Sequence, residues 1–322
     1  MELPQKLRSA IENDLLALPE RKLTGLAAEL SQSYRTGRPQ NRGSYFRSQE
    51  DVAAYAVFRM PATFAAVSYV IGHIKERYPD WQPKSLLDVG AGPGTVMWAV
   101  SAEYPEIEQI TLVEREDFMI ALGKRLSGYS DTASVREAKW IKADIMEFHD
   151  PPVSDLVTAS YVLNELPEDE RPSFIKRLWE FTGELLVLIE PGTPAGFARI
   201  QEAREQLLAQ GAQVAAPCPH GKACPLDDKD WCHFSQRLAR TRLHRAVKEG
   251  ELPYEDEKFS YLCMSRFEAK SINGIVLRHP QIRKGHIKVN LCTPEGLTST
   301  VITRKAKELF RRARDLHWGS IL

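Results

Sequence analysis

The chain is expected to fold as an α/β protein with a mostly parallel sheet covered by helices. Three observations predict this. Five short apolar runs, SLLDVG, QITLVE, KWIKAD, SDLVTASYVL and ELLVLIE, follow one another from Lys84, with the helical segments MWAVSAEY, EDFMIALGKRLSGY and EDERPSFIKRLWEFT between them. Such alternation returns the chain so that successive strands run parallel. The first run ends in a glycine cluster, at the carboxyl end of a strand where sheets of this kind bind ligands. The composition, 43% hydrophobic and 27% charged over 322 residues, suits a sizeable core.

Ahead of the sheet, residues 1–80 read as a helical region. LRSAIENDLLAL and TGLAAELSQSYR place apolar residues three to four apart. GRPQNRGSYFRSQ interrupts with Gly, Pro and Asn and reads as a loop. AAYAVFRMPATFAAVSYVIGHIKERY resumes the helical pattern, with Pro61 marking a kink or a new start. Residues 81–210 form the cofactor-binding core, ending in the helix GFARIQEAREQLLAQ. Residues 211–250 are a cysteine-rich loop followed by a basic helix within WCHFSQRLARTRLHRAVKEG. Residues 251–322 supply the final strands of the core, KFSYLCMSRF and HIKVNLC, and a closing basic helix, TRKAKELFRRARDLHW.

No 18-residue apolar run exists, so no membrane-spanning helix is expected. The amphipathic N-terminus lacks the basic-then-apolar layout of a signal peptide, and a reducing, cytoplasmic, bacterial-type location is expected. Net charge is zero, but residues 1–200 hold 22 basic and 29 acidic side chains, whereas residues 201–322 hold 21 and 14. A basic final third suits a nucleic-acid partner or a solvated face. Its candidate contacts are Arg237, Arg240 and Arg245 in the first basic segment, and Arg311 and Arg312 in the last helix. Arginine's planar fork matches phosphate.

In SLLDVGAGPGTVMWAV, Asp88 is followed by Gly90, Gly92 and Gly94, and then a helix. Glycines let the backbone turn tightly beside a ligand, and helix-start amides face a polar group. The spacing is neither that of a dinucleotide loop nor that of a P-loop. It resembles motif I of class I S-adenosylmethionine-dependent methyltransferases. The resemblance implies that the glycines pass the methionine part of the cofactor and that Asp88 lies near its amino group. It further implies that Glu114, ending ITLVE, accepts from the ribose hydroxyls, and that Asp144, ending the third strand, lies beside adenine. After the fourth strand the sequence reads SYVLNELPED, without the Asn/Asp-Pro-Pro-aromatic set of many base N-methyltransferases. Asn164 lines the pocket or caps the next helix, an acceptor would enter near Asn164 and Glu190, and no catalytic residue is assigned.

Cys218, Cys224 and Cys232 fall within 17 residues, separated by five and then seven positions. Zinc sites favour tighter pairs, whereas iron–sulfur sites tolerate varied loops and a distant fourth thiolate. Pro217, Pro219 and Pro225 stiffen the loop before any ligand binds. For a fourth ligand, Cys292 at a strand–turn junction ranks ahead of His220 and His233. Cys263, inside an apolar strand, reads as a small hydrophobe.

CPHGKACPL, WCHFSQR, YEDEKFSYL and LCTPEG, with RMPATFAAV upstream and ARDLHWG at the end, resemble the mitochondrial small-ribosomal-subunit methyltransferase-like proteins and their bacterial relatives. The likeness runs from about Leu16 to the end; only the final Trp-Gly-Ser departs from the usual Trp-Gly-Asp. It implies a class I methyltransferase (Rossmann-like) fold, S-adenosylmethionine as cofactor, and association with the small ribosomal subunit or its rRNA. It also implies a [4Fe-4S] cluster on Cys218, Cys224, Cys232 and Cys292, with zinc as the alternative metal. The chain is then an rRNA methyltransferase or a non-catalytic ribosome assembly factor; a third reading is a zinc-stabilised methyltransferase of a small molecule or protein.

Overall fold

A computed structural model describes residues 2–15, 25–26, 46, 48–148, 151–227, 229–240 and 254–322. The chain divides into two compact units. The first comprises Met1–Gly183 and Gln236–Glu257, and the second Glu184–Ser235 and Lys258–Leu322.

The first unit opens with helices α1 (Gln5–Leu15), α2 (Gln49–Phe58) and α3 (Met60–Arg77). The expected helix TGLAAELSQSYR lies almost wholly outside the described residues. Ser48 caps α2 by accepting from the Asp51 amide at 3.2 Å. Pro61 starts a new helix, because a missing N–H costs nothing in a first helical turn. Ala65, Ala66, Val67, Val70, Ile71 and Ile74 of α3 are fully buried.

Then follow β1 (Ser85–Val89), α4 (Thr95–Glu103), β2 (Gln109–Glu114), α5 (Asp117–Ser127) and the single turn α6 (Ala133–Arg136). β3 (Lys139–Lys142), β4 (Ser154–Ser160) and α7 (Arg171–Phe181) complete the series. The strands lie in the order β3-β2-β1-β4, and β1 is parallel to both its neighbours. Leu86, Leu87, Asp88 and Val89 of β1 are all buried, which is why SLLDV reads as a continuous run rather than an alternating one. The fourth strand stops earlier than its sequence suggests. Tyr161 adopts φ +61°, which no strand accommodates, and Leu163–Glu165 form a 3-10 turn.

The second unit holds α8 (Pro194–Ala209), β6 (Gln213–Ala216) and most of β5 (Thr182–Pro191) and β8 (Tyr254–Ser265), whereas most of β7 (Phe234–Ala239) falls in the first. β8 runs antiparallel between β5 and β6. Over Phe234–Ala239 the segment expected to contain a basic helix is a strand. Phe234 and Leu238 are buried while Arg237 and Ala239 are exposed, and the segment pairs with β8 as a strand. Apolar residues four apart satisfy a helix and one face of a strand equally, so their spacing could not separate the two. Residues 241–250 of that segment lie outside the described residues.

β9 (Ile275–Arg283), β10 (His286–Thr293) and β11 (Gly296–Thr303) form a separate three-stranded antiparallel sheet, so HIKVNLC is not a core strand. Gly285, at φ +93°, turns the first hairpin in the two-residue loop Lys284–Gly285. A short helix, α9 (Lys307–Ala313), buries Ala313 with Val276, Ile287, Val289 and Ile302.

Candidate cofactor cleft and cysteine site

The carboxyl end of β1 brings together two of the acids that the sequence singles out, Asp88 and Glu114. Asp88 is paired in register with Thr158 of β4, and its Oδ1 accepts from the Thr158 hydroxyl at 2.7 Å. Its Oδ2 is buried and has no hydrogen-bond partner among the described residues. A buried carboxylate oxygen left open costs about 1–3 kcal/mol unless a ligand completes it. Gly90, Gly92 and Gly94 all have positive φ, between 54° and 80°. A Cβ on Gly90 would lie 2.6 Å from Val162 Cγ2, whereas one on Gly92 would project into open space. The loop therefore leaves a cradle that a side chain at Gly92 would fill.

Glu114 departs from the simple expectation. Its Oε2 accepts from the Gly92 amide at 2.7 Å, and its Oε1 from the Arg115 and Glu116 amides at 2.8 and 2.9 Å. The carboxylate shapes the glycine loop itself, and one lone pair, on Oε2, is left to meet a hydroxyl. Asp144 follows β3 and accepts from the Met146 amide at 2.8 Å, with Arg115 3.8 Å away. Asn164 is exposed on the 3-10 turn after β4. Glu190 is buried in an ion pair with Arg199 at 2.7 Å.

Burial pushes the Asp88 carboxyl up to about 7; the Thr158 hydrogen bond opposes this and the Glu114 charge adds to it. A folded-state value above the unfolded one means that Asp88 contributes stability below the ordinary carboxylate range, near 3.8, and loses it as pH rises through about 7. Unliganded protein is thus expected to weaken between about pH 4 and 7 and to level above that, with at most about 4 kcal/mol of the loss from this group. Urea unfolding of wild type and Asp88→Asn at pH 5.5, 7 and 8.5 checks this. The Asn variant should flatten the curve, and parallel curves would refute the assignment.

Sequence reasoning passed over a second cluster in the first unit. Glu257 Oε1 accepts from the Tyr161 hydroxyl and lies at ion-pair distance from Arg59 Nη2, both at 2.9 Å. The Arg59 guanidinium stands over the Tyr161 ring, 4.4 Å from its centroid. Burial, and Glu257 beside it, hold the phenol well above its ordinary value. These residues come from RMPATF, SYVLNE and YEDE, and no local spacing announces their meeting. The preceding acids of the same run are paired too. Arg237 bonds Asp256 at 2.7 and 2.9 Å, and Arg240 bonds Glu255 at 3.1 and 3.2 Å. Arg311 and Arg312 are exposed on α9, with Glu308 3.8 Å from Arg311. Arg245 lies outside the described residues.

In the second unit, Cys218, Cys224, Cys232 and Cys292 line one pocket, walled by apolar side chains that include Ile200, Leu226, Leu262, Ile275 and Leu277. All five cysteines are thiols. Burial, and then Cys218, Cys224 and Cys292, hold the Cys232 thiol well above its ordinary range, with Arg278 opposing. Burial, and then Cys218 and Cys224, push Cys292 up to about 12, with Arg204 opposing. Cys232 and Cys292, whose thiols burial keeps from ionising beside Cys218 and Cys224, belong to a donor set that a cationic centre would stabilise, because bound metal inverts that balance. Among the described residues, no three His, Cys, Asp or Glu side chains form a single-ion site. His220 lines the same pocket, with Nε2 3.9 Å from Cys292 Sγ. His233 does not. It stacks on Trp231 at 5.1 Å and meets the Trp318 ring edge-on at 4.7 Å. Cys263 is wholly buried in β8 and is absent from the pocket wall.

A parallel 3-2-1-4 strand order, a glycine loop after β1, an acid ending β2 and an antiparallel strand beside β5 define a protein of the class I methyltransferase, Rossmann-like fold. Residues 49–322 match the model of the family described as mitochondrial small ribosomal subunit Rsm22, and the chain belongs to that family. It is 30% identical to the human mitochondrial ribosome assembly protein METTL17, over 97% of this chain and 70% of that protein. It is 21% identical to the Saccharomyces cerevisiae mitochondrial ribosome assembly protein RSM22, over 100% of this chain and 74% of that protein. Among solved structures, a magnesium protoporphyrin IX methyltransferase of Synechocystis with bound SAH aligns at a TM-score of 0.43 and 12% identity, over 74% of this chain and 94% of that one. These findings correct the cytoplasmic expectation. The matched family and the named relatives are mitochondrial. The lack of a recognisable targeting run was too weak a ground on which to place the chain.

Proposed function

We propose that the chain binds S-adenosylmethionine in the cleft at Asp88, Gly92 and Glu114 and works with the small ribosomal subunit during its assembly. In this reading Cys218, Cys224, Cys232 and Cys292 hold a [4Fe-4S] cluster. The observation that carries it is the convergence of Cys292, from β10, on the pocket of the three loop cysteines. When bound, the cluster supplies a covalent tie between that loop and the β10–β11 turn, together with a redox-sensitive centre. The open Asp88 Oδ2 suits the cofactor's ammonium, and Gly92 leaves room for its chain. Asp144 and the Asn164 turn stand as candidate walls for adenine and acceptor.

Arg311 and Arg312 are proposed as rRNA phosphate contacts ahead of Arg237 and Arg240, whose guanidiniums already hold Asp256 and Glu255. The sequence SYVLNELPED after β4, which departs from the Asn/Asp-Pro-Pro-aromatic set of many base N-methyltransferases, favours a binding role over rRNA methyl transfer.

Two measurements on one preparation test the reading. Anaerobically purified protein is expected to absorb in the visible and to carry about four iron and four sulfide per chain; stoichiometric zinc instead would replace the cluster. Incubation with labelled cofactor and small-subunit rRNA is expected to show cofactor binding without label in the RNA. Label that disappears in Asp88→Ala would establish the methyltransferase.

A further inference from the structure

Arg204, in the middle of α8, is only 2% exposed and stands in the wall of the cysteine pocket. Its Nη2 donates to the carbonyls of His220 at 2.9 Å and Lys222 at 2.6 Å, both inside the Cys218–Cys224 loop. Lys222 Nζ in turn donates to the Pro294 carbonyl at 3.0 Å, beside Cys292. Among the described residues Arg204 pairs with no carboxylate, and its Nε has no hydrogen-bond partner. A guanidinium keeps its proton in any protein environment, so this is a permanent positive charge. Carbonyls solvate such a charge only in part, and a buried ion without a counter-charge costs several kcal/mol. Among the described residues, none around Arg204 supplies the anion that its burial calls for.

The four cysteines do supply it once loaded. On loading, each thiol releases its proton to solvent, and four thiolates around a dipositive iron–sulfur or zinc core leave a net charge of minus two. We propose that Arg204 is the counter-charge and positioning residue of this four-thiolate site, fixing the His220–Lys222 backbone while offsetting the charge of the loaded centre. The inference rests on the reading that these cysteines hold an inorganic centre.

The test uses the full chain, reconstituted anaerobically with equal ferrous and ferric iron and sulfide, as wild type, Arg204→Lys and Arg204→Met. Iron and sulfide content, midpoint potential against dithionite, and melting temperature before and after loading are read. Lys retains charge without the two-carbonyl grip, and loading should fall several-fold with little change in potential. Met removes both. Loading should fall at least tenfold, the residual centre should titrate at lower potential, and the rise in melting temperature on loading should shrink. Unchanged content and potential in both variants overturn the proposal. So does an equal drop in melting temperature with and without the centre, which marks Arg204 as a packing residue only. If Met does not fold, Lys decides: loading equal to wild type refutes the grip. A wild type that takes up no iron–sulfur centre removes the underlying reading, an outcome distinct from a wild type that loads and a Met variant that loads equally well.

Discussion

Asp88→Asn is expected to lose cofactor affinity about a hundredfold while the unliganded protein gains stability at pH 8. The two effects share one cause. Asp88 is 1% exposed, one oxygen bonded to Thr158 and the other open, so its ionised form is costly until a cation arrives. Asparagine keeps the shape and the Thr158 contact but removes the charge, at a cost to binding of about 3 kcal/mol, the range of a hydrogen bond to a charged group. The cofactor's ammonium also favours the ionised carboxyl. Binding should therefore release a proton, and wild-type affinity should rise about tenfold per pH unit up to about 7 and then level. Calorimetric titration with S-adenosylhomocysteine in buffers of different ionisation enthalpy reads affinity and proton release together. A variant that loses stability and binding in parallel would show that Asp88 only supports the fold.

Cys292→Ser should empty the cysteine site, and Cys263→Ala should not. Cys292 is the one ligand candidate outside the loop, and its thiolate would close a chain segment reaching back to Cys218. A tie across so long a segment restrains the unfolded chain by about 3–5 kcal/mol, much as a disulfide does. The serine variant should lose most of its bound iron and that stabilisation, and the Cys218–Cys232 loop should become protease-sensitive. Cys263 lies at 0% exposure in β8, away from the pocket. Its loss should cost about 1 kcal/mol of packing and leave the iron content intact. Iron analysis with limited proteolysis separates the two variants. Full iron retention in Cys292→Ser would show that another residue completes the site, and His220, 3.9 Å from Cys292 Sγ, would be the first to substitute next.

Much of this protein is local in origin, and that part could be read directly from residue order. Strand and helix periods of two and 3.6 residues lie within a few turns of chain. The parallel core, the glycine loop and the start of α3 at Pro61 were legible for that reason. The segment at Phe234 was not, because apolar residues four apart fit both elements and only its pairing with β8 resolves them. The meander β9–β11 was partly hidden because its exposed edge, Gly296–Thr303, has a weak apolar pattern.

Charges proved least legible. Arg237 and Arg240 looked like partners for phosphate, yet the run Glu255–Glu257 takes Arg240, Arg237 and Arg59 in turn. Arg204 drew no notice in a helix of ordinary composition, although it is buried beside four thiols. Residue type tells what a side chain is able to bond. Which partner it meets, and how much water is left around it, depends on segments tens to hundreds of positions away, since electrostatic strength follows distance and burial rather than order along the chain.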